Sequence, residues 1–469
     1  MLKTSLSYDK GTIVIKGLAH IPFATMDPRT SSLRAQALHY TNIMDYLEES
    51  GIDYNNFVLD LVPSPHLVAD NVSLRDYQEK ALQNWVKAGM RGCVVLPTGS
   101  GKTVIGIKAI ERANSATLVV VPTLDLMNQW TQVLSKHFTN TRIGNLGGGT
   151  DDVQAITVAT YDSAYIRAAS FGNKFSLIVF DEVHHLAAPG YRSIAEQMVA
   201  PYRLGLTATI EREDNLHKDF PKLVGGVVFQ AHPSELAKNK HLASYEIERR
   251  QVEMTAEEKR EYQRNFGTYQ VCLKKLGIKM NYQGSFQRLI MMSGRSKVAR
   301  EAILARNKAM DIALNSKSKI EELKEILTEN KGLKTIIFTQ HNSLVHEISD
   351  RFLIPLITHK TGKEEREDAL TGFKEGRYLA IVTSKVLDEG VDVPDAEVGI
   401  IVSGTGSGRE FIQRLGRLLR PKTDTTKKAK LIEIISSDTR ETGTSAKRKM
   451  ALARINEKEK RQHLQDLHI

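Results

Sequence analysis

The clearest chemical signature in the sequence is a glycine-rich loop near residue 100. The segment Pro97-Thr-Gly-Ser-Gly-Lys-Thr103 follows an apolar run that ends at Leu96, and it precedes a helical pattern. Glycines let successive backbone N–H groups converge on phosphate oxygens, and a helix amino terminus favours negative charge. The spacing predicts an ATP site in which Lys102 contacts the β- and γ-phosphates and the Thr103 hydroxyl binds Mg²⁺. The loop residues predicted to bind the nucleotide are Thr98, Gly99, Ser100, Gly101, Lys102 and Thr103.

A pair of acidic residues, Asp181 and Glu182, ends a second apolar run, Leu177-Ile-Val-Phe180. A carboxylate at the end of a buried strand can hold Mg²⁺, and its neighbour can activate a water molecule for attack on phosphate. We therefore expect Asp181 to bind the metal together with Thr103, and Glu182 to act on the water. The two histidines that follow lack partners at zinc-ligand spacing, so a zinc site is not indicated.

Three arginines recur every third residue in Gln413-Arg-Leu-Gly-Arg-Leu-Leu-Arg420, and they share a broad face of a predicted helix. One interpretation is a solvated basic helix. The other is a set of arginines that completes an ATP site from a second lobe and offsets charge on the transferring phosphoryl group. On the second interpretation, these arginines would act on the phosphoryl group together with Lys102, Asp181 and Glu182.

Two series of alternating strands and helices are expected to position these residues. Continuous β-branched runs bounded by helical patterns indicate parallel sheets that helices cover on both faces. The first series extends from about Leu74 to Gly226, and the second begins near Ser318. Ser318 followed by Glu321 predicts a capping box that opens the first helix of the second series.

The remaining segments predict smaller units. Residues up to about 66 combine weak strand alternation with a helix from Tyr40 to Ser50, which Gly51 ends. Residues from about Met254 to Asn315 show helical periodicity. Their aromatic residues at helical spacing either stack on bases or pack within their own domain. The aromatic residues concerned are Tyr262, Phe266 and Tyr269.

Charge is concentrated in two parts of the 469-residue chain, whose formal net charge is +10. Residues 248–310 and residues 401–469 each carry a net charge of +8, so the rest of the chain is acidic. Such segments either bind a polyanion or form solvated helix faces.

The 2 cysteines exclude a disulfide framework, and no apolar run is long enough to span a bilayer. We expect a soluble, cytoplasmic protein with no membrane partner.

The order of these motifs resembles that of superfamily 2 helicases over residues 74–421. The segments that carry the resemblance are Leu74-Arg-Asp-Tyr-Gln78 (Q motif), Pro97–Thr103 (motif I), Val121-Pro-Thr123 (Ia), Thr160-Tyr161 (Ic), Asp181-Glu-Val-His184 (II), Thr207-Ala-Thr209 (III), Ile337-Phe-Thr339 (IV), Thr383–Asp392 (V) and Gln413–Arg420 (VI). A run of short patterns in this order is far more specific than any one of them.

Within that superfamily the chain resembles compact archaeal members of the XPB family. Arg212-Glu-Asp214 matches the family's RED element, and Asp27-Pro-Arg-Thr30 resembles its damage-recognition region. The resemblance implies an α/β fold with two RecA-like parallel-sheet lobes, a helical thumb-like insert and a small N-terminal α+β domain. The implied domains are residues 1–66 (damage-recognition-like), 67–246 (lobe 1), 247–315 (thumb-like insert), 316–436 (lobe 2) and 437–469 (basic helical tail).

The resemblance also implies a function. We expect a DNA-dependent ATPase of the 3′–5′ DNA helicase type, which uses ATP and Mg²⁺ to open duplex DNA in nucleotide excision repair and in promoter opening, beside a nuclease partner. The catalytic set that the resemblance implies is Lys102, Asp181, Glu182, Gln413, Arg417 and Arg420. Further implied nucleotide contacts are Arg75, Gln78, Gly390 and Asp392, and implied DNA contacts are Thr123, Thr160, Thr339, Thr383, Arg212, Glu213 and Asp214. A duplex translocase without strand separation, an RNA helicase and a scaffold or motor subunit for a nuclease remain alternatives. Gln413-Arg414 argues against the RNA helicase, because DEAD-box proteins have His-Arg there.

Overall fold

Three β-sheets, each associated with helices, organise the described part of the chain. The structure is a computed structural model that describes residues 4–210, 216–231, 236, 245–280, 284–384, 396–404, 429–443 and 445–446. The described residues form two units, one that ends at residue 236 and one that begins at residue 245. None of the described helices is both long enough and apolar enough to cross a membrane.

The first unit begins with a small mixed sheet, which has the strand order β3-β4-β2-β1-β5. Its strands are β1 (Thr4–Asp9), β2 (Thr12–Lys16), β3 (Ala24–Asp27), β4 (Ser32–Gln36) and β5 (Tyr54–Phe57). The predicted helix is present as Tyr40–Glu49, and it buries Ile43 and Leu47 against this sheet. The Tyr8 hydroxyl donates a 2.9 Å hydrogen bond to the Ala169 carbonyl and so ties the small sheet to the neighbouring lobe.

The second sheet of this unit is parallel apart from its last hairpin, with the order β13-β6-β12-β11-β7-β10-β8-β9. Its strands are β6 (Arg91–Val95), β7 (Thr117–Val121), β8 (Ile143–Gly147), β9 (Thr150–Asp151), β10 (Ile156–Thr160), β11 (Leu177–Asp181), β12 (Tyr202–Thr207) and β13 (Val227–Gln230). The α-helices that accompany it are Asp76–Lys87, Lys102–Ala113, Leu124–His137, Tyr161–Phe171, Arg192–Gln197 and Phe220–Leu223. Every residue of β7, β10 and β11 is buried, as continuous apolar runs predict.

The second unit contains a parallel sheet with the order β14-β19-β18-β15-β17-β16. Its strands are β14 (Tyr245–Val252), β15 (Thr335–Phe338), β16 (Leu356–Ile357), β17 (Ala380–Thr383), β18 (Val398–Ile401) and β19 (Ala429–Ser436), with accompanying helices Lys317–Glu329, Asn342–Phe352 and Lys363–Glu375. A buried ion pair supports the sheet, because Lys319 Nζ lies 2.7 Å from Glu441 Oε1. The same ammonium donates to the Val402 carbonyl at 2.8 Å.

A helical segment lies between β14 and the other strands of this sheet in the chain. It consists of the helices Ala256–Lys275, Ser285–Ser293 and Lys297–Leu314. Tyr262 and Tyr269 are buried against alanines of the last helix, and Phe266 packs partly buried beside them. Of the two interpretations of these aromatic residues, the structure favours packing within their own domain.

The predicted capping box at Ser318 is wrong. The helix begins at Lys317, with Ser316 at its N-cap, so Ser318 already lies inside the first turn. The position is decided by tertiary contacts rather than by the local pattern, because Lys319 must be buried to reach Glu441. The domain boundaries stay predictions. We note that β14 spans the boundary drawn at residue 246 and pairs with β19 over its whole length.

Candidate active site

The glycine-rich loop joins β6 to the helix Lys102–Ala113. Gly99 and Gly101 have φ values of +81° and +79°, in the left-handed region that glycine adopts without strain. The Ser100 hydroxyl donates to the Pro97 carbonyl at 2.6 Å and closes the turn. Lys102 Nζ folds back over the loop and donates to the Leu96 carbonyl at 3.1 Å. The loop therefore places a lysine ammonium and a helix amino terminus side by side, as phosphate binding requires.

A neighbouring helix supports the glycine-rich loop through side-chain hydrogen bonds. Tyr77 and Gln78 belong to the helix Asp76–Lys87, and both donate to the Ser100 carbonyl, at 2.6 and 3.0 Å respectively. Gln78 Oε1 accepts the Arg75 backbone N–H at 2.9 Å and completes a capping box. In this arrangement Gln78 is buried and supports the loop backbone. Its contact with adenine, like that of Arg75, stays a prediction.

Asp181 ends β11 in a buried position, and both of its carboxylate oxygens accept hydrogen bonds. The Trp130 indole N–H donates to Oδ2 at 2.7 Å, and the Glu182 backbone N–H donates to Oδ1 at 3.0 Å. Burial and the neighbouring Glu182 charge raise the pKa of Asp181, while the Trp130 hydrogen bond and the Lys102 charge oppose that rise. A carboxylate and a hydroxyl both offer oxygen ligands of the kind that Mg²⁺ prefers. Metal binding by Asp181 and Thr103 stays a prediction.

Glu182 directly follows β11, and its side chain lies close to Thr207 of motif III. Its φ of +48° places a non-glycine residue in the left-handed region, which is uncommon and is typical of functional turns. The Thr207 hydroxyl, at the end of β12, donates to Glu182 Oε2 at 3.4 Å. His184 Nδ1 lies 3.3 Å from the same hydroxyl. The acidic pair and motif III are thus joined through one threonine.

Strand order explains why these residues meet. β6, β12 and β11 are neighbours in the sheet and run parallel, and the register pairs Val95 with Thr207 and Leu206 with Asp181. The carboxyl ends of parallel strands lie at one edge, where ligands bind in open α/β sheets. That edge carries Lys102, Asp181, Glu182 and Thr207.

The four threonines predicted to contact DNA lie at equivalent sheet edges. In the first unit, the Thr123 and Thr160 hydroxyls cap helices by accepting the backbone N–H groups of Leu126 and Ser163, both at 3.2 Å. In the second unit, the buried hydroxyls of Thr339 and Thr383 donate to nearby backbone carbonyls, at 3.1 and 3.0 Å. These positions border the sheet edges, and DNA contact by them stays a prediction.

Comparison with known proteins decides the family. A model of the Xeroderma pigmentosum group B helicase damage recognition domain matches residues 6–58, and a model of the ERCC3/RAD25/XPB C-terminal helicase matches residues 303–455. Residues 71–212 match the Type III restriction enzyme, res subunit. The DNA 3'-5' translocase XPB2 of Sulfurisphaera tokodaii is 44% identical over 444 residues, which cover 95% of this chain and 99% of that protein. The chain belongs to the XPB family of helicases.

Other XPB relatives are longer than this chain. The DNA 3'-5' helicase XPB of Kineococcus radiotolerans is 30% identical over 82% of this chain and 64% of its own length. The XPB/SSL2 helicase/translocase subunit of general transcription and DNA repair factor IIH from Saccharomyces cerevisiae is 27% identical over 89% of this chain and 47% of its own length. The chain thus spans about half to two thirds of these two relatives.

A solved structure supports the fold of this XPB-family chain. The Hef helicase domain of Pyrococcus furiosus superposes with a TM-score of 0.52 and 19% identity over 80% of this chain and 98% of that one. The predicted XPB resemblance and the predicted α/β class with RecA-like lobes and a small N-terminal domain are confirmed.

Several predicted site residues of the XPB-family chain lie outside the described residues. They are Arg212, Glu213, Asp214, Gly390, Asp392, Gln413, Arg417 and Arg420. Their roles stay predictions from sequence.

Sequence reasoning missed Trp130 as a site residue. The helix Leu124–His137 buries Met127, Trp130 and Leu134 on one face, so the pattern alone indicates core packing. A signal was available in the residue type, because a buried indole N–H needs a hydrogen-bond acceptor. Nothing in the sequence indicates that the acceptor is Asp181, which lies 51 positions away.

Proposed function

We propose that this XPB-family protein hydrolyses ATP to move along duplex DNA and to open it, in nucleotide excision repair and in promoter opening. The observation that carries the proposal is the shared edge of β6, β12 and β11, which brings the phosphate-loop lysine beside a buried aspartate and its neighbouring glutamate. The family match to a damage recognition domain supports a role in repair. The factor IIH name of the yeast relative supports a link with transcription.

The first lobe's residues divide the work on ATP. Lys102 neutralises phosphate charge. Thr103 and Asp181 would hold Mg²⁺, which would supply positive charge to the phosphate oxygens. Glu182 accepts a proton from the attacking water, and the Thr207 hydroxyl at 3.4 Å helps to orient its carboxylate. The loop amides and helix amino terminus bind the remaining phosphate oxygens.

The second lobe supplies the groups that complete turnover. Gln413, Arg417 and Arg420 are proposed to offset charge on the transferring phosphoryl group, with Gly390 and Asp392 beside the nucleotide. ATP binding then favours closure of the two lobes, and hydrolysis allows them to open. Alternating grip on DNA during this cycle converts turnover into movement.

DNA contact is proposed to be largely independent of base sequence. Thr123, Thr160, Thr339 and Thr383 would contact phosphates together with nearby backbone amides, and the triplet Arg212–Asp214 would act where strands separate. Two segments with net charges of +8 supply long-range attraction. Binding should therefore weaken steeply as salt concentration rises. If the chain comes from an archaeon, this proposal implies association with the nucleoid.

A second candidate is a duplex translocase that does not separate strands. The name of the 44% identical relative, DNA 3'-5' translocase XPB2, favours it. On that view the protein pulls on duplex DNA, and the family resemblance adds a nuclease partner for which it serves as the motor subunit.

The test compares ATP hydrolysis with duplex DNA, forked DNA and single-stranded RNA at matched salt, with strand separation followed on the fork. Lys102→Ala is the control for contaminating ATPase. We expect stimulation by both DNA substrates, little by RNA, and strand separation on the fork. Stimulation by duplex without strand separation would favour the translocase, and equal or greater stimulation by RNA would overturn the proposal.

A further inference from the structure

Trp130 connects the phosphate-loop helix to the metal-side carboxylate. Its ring is buried, and its Nε1 donates to Asp181 Oδ2 at 2.7 Å. The other side of the ring presses on Gly106 of the helix Lys102–Ala113, where an added Cβ would lie 2.6 Å from Cη2. The glycine leaves room for the indole, so close packing fixes the ring and the direction of its N–H.

Tyr161 reaches the same aspartate from another helix. The Tyr161 hydroxyl donates to the Asp181 backbone carbonyl at 3.1 Å, and the side chain is buried. Tyr161 is the first residue of the helix Tyr161–Phe171. Asp181 is therefore held by its side chain from one helix and by its backbone from a second.

The amino termini of these two helices carry two of the four threonines that are proposed to contact DNA. Thr123 caps the helix of Trp130, and Thr160 caps the helix of Tyr161. Trp130 lies seven positions after Thr123, which corresponds to about 10 Å along a helix axis. A shift of either helix on binding a phosphate backbone would thus move the hydrogen bonds that hold Asp181.

We propose that Trp130, supported by Tyr161, is a positioning residue that orients the Asp181 carboxylate and couples DNA contact at Thr123 and Thr160 to the metal side of the ATP site. The inference rests on the proposed function, because it assumes that those helix termini meet DNA. The Glu182 N–H holds Asp181 Oδ1. The hydrogen bond from Trp130 to Oδ2 therefore fixes the rotation of the carboxylate about its bond to the rest of the side chain. Groups that orient metal ligands strongly affect metal affinity.

The test uses Trp130→Phe in the full chain, which keeps an aromatic ring and removes the donor. The first measurement is the Mg²⁺ dependence of ADP binding by calorimetry, which needs no turnover. We expect the Mg²⁺ concentration that gives half of the maximal gain in ADP affinity to rise about 10-fold or more. The second measurement is the ratio of DNA-stimulated to basal ATP hydrolysis, and we expect it to fall by about 2- to 30-fold.

Trp85→Phe is the matched control. Trp85 is also fully buried, and its indole N–H donates to the Arg203 carbonyl at 2.9 Å. The variant loses a comparable hydrogen bond without touching Asp181, so wild-type Mg²⁺ dependence and wild-type stimulation are expected. Equal behaviour of the two tryptophan variants would overturn the inference.

Tyr161→Phe removes a single hydroxyl and keeps the test decisive if Trp130→Phe fails to fold. We expect the same two changes with smaller amplitude, and wild-type values in both measurements would count against the inference. The two proposals fail separately. Absence of DNA stimulation in the wild type contradicts the proposed function, whereas stimulation that survives unchanged in the variants contradicts only the coupling.

Discussion

At the scale of single residues, two adjacent carboxylates have different environments. Asp181 is buried and held through both oxygens, and its raised pKa reflects burial and the Glu182 charge. Glu182 follows with a positive φ and a hydroxyl contact from Thr207. We propose that the buried carboxylate binds the cation and that its neighbour accepts a proton from water, so that one dipeptide performs both tasks.

Glu182→Gln tests the proposed proton acceptor. The amide keeps the size of the side chain and the contact with Thr207 but cannot take a proton from water. We expect ATP hydrolysis to fall by about 100-fold or more while ATP binding is retained. Retained ATP on the purified variant and its turnover rate are the measurements. Turnover within a few-fold of wild type would exclude Glu182 as the base.

A second residue-scale prediction concerns Asp27, at the end of β3. The Asp27 carboxylate accepts hydrogen bonds from the side chain and backbone of Arg29, and these lower the pKa of Asp27 to about 2. Arg34 Nε lies 3.0 Å from the same carboxylate. The unfolded pKa is about 4, so the ion pairs stabilise the fold fully above pH 4, and that stabilisation is lost as pH falls towards 2.

Asp27→Asn removes this pH dependence. We expect the wild type to have the higher urea midpoint at pH 6, and the difference between the two proteins to shrink as pH falls from 4 towards 2. Lys16→Gln, a charge change on β2 of the same sheet, is the control for general charge effects. A difference that stays constant between pH 6 and pH 3 would contradict the assigned role of Asp27.

The local motifs were predictable from sequence, whereas their partners were not. Lys102, Thr103, Asp181 and Glu182 follow from glycine spacing and from acidic residues after apolar runs. The support for Gly101 from Gln78 was not predictable, because it depends on how the helix Asp76–Lys87 packs behind the loop. The same holds for the Trp130 hydrogen bond, which joins residues 51 positions apart.

At the scale of elements, parallel sheets position the site. Apolar runs predicted the strands, but strand order depends on crossovers that no single run encodes. β14 illustrates the limit, because it pairs with β19 through contacts such as Arg249 with Glu433, 184 positions apart. Neither strand's own pattern contains that information.

Gly101→Ala tests how closely the loop is packed on its supporting helix. An added Cβ would lie 2.6 Å from Gln78 Nε2, and φ is +79°. We expect weaker binding of a fluorescent ADP analogue, because either the loop or the Gln78 amide must shift, and either shift disturbs the hydrogen bonds from that amide to the Ser100 and Gly101 carbonyls. Unchanged ADP affinity would show that the Gln78 contact does not shape the phosphate loop.

Gly149→Ala is the matched control for backbone strain. Gly149 has a φ of +86°, and nothing lies within 4 Å of an added Cβ. Both variants should therefore lose about 1–2 kcal/mol of stability from the left-handed conformation, as measured by urea unfolding. Only Gly101→Ala should lose ADP affinity.

At the scale of the whole molecule, the proposed catalytic groups are divided between two parts of the chain. The first unit contains Lys102, Asp181 and Glu182 on one sheet edge. Arg417 and Arg420 occur more than 200 residues later, in a sequence whose net charge from residue 401 onward is +8. The order of motifs predicts that neither part hydrolyses ATP alone, because charge on the transferring phosphoryl group needs guanidinium partners.

Arg420→Ala tests this division of labour in the full chain. Because the phosphate loop and Asp181 are untouched, we expect ADP affinity close to wild type while DNA-stimulated hydrolysis falls by about 10³-fold or more. Arg420→Lys keeps the charge but not the planar fork, so it should recover only part of the activity. If Arg420→Ala hydrolyses ATP as fast as the wild type with DNA present, the arginine does not complete the site. If instead ADP affinity falls with turnover, the residue supports binding of the nucleotide rather than the chemical step.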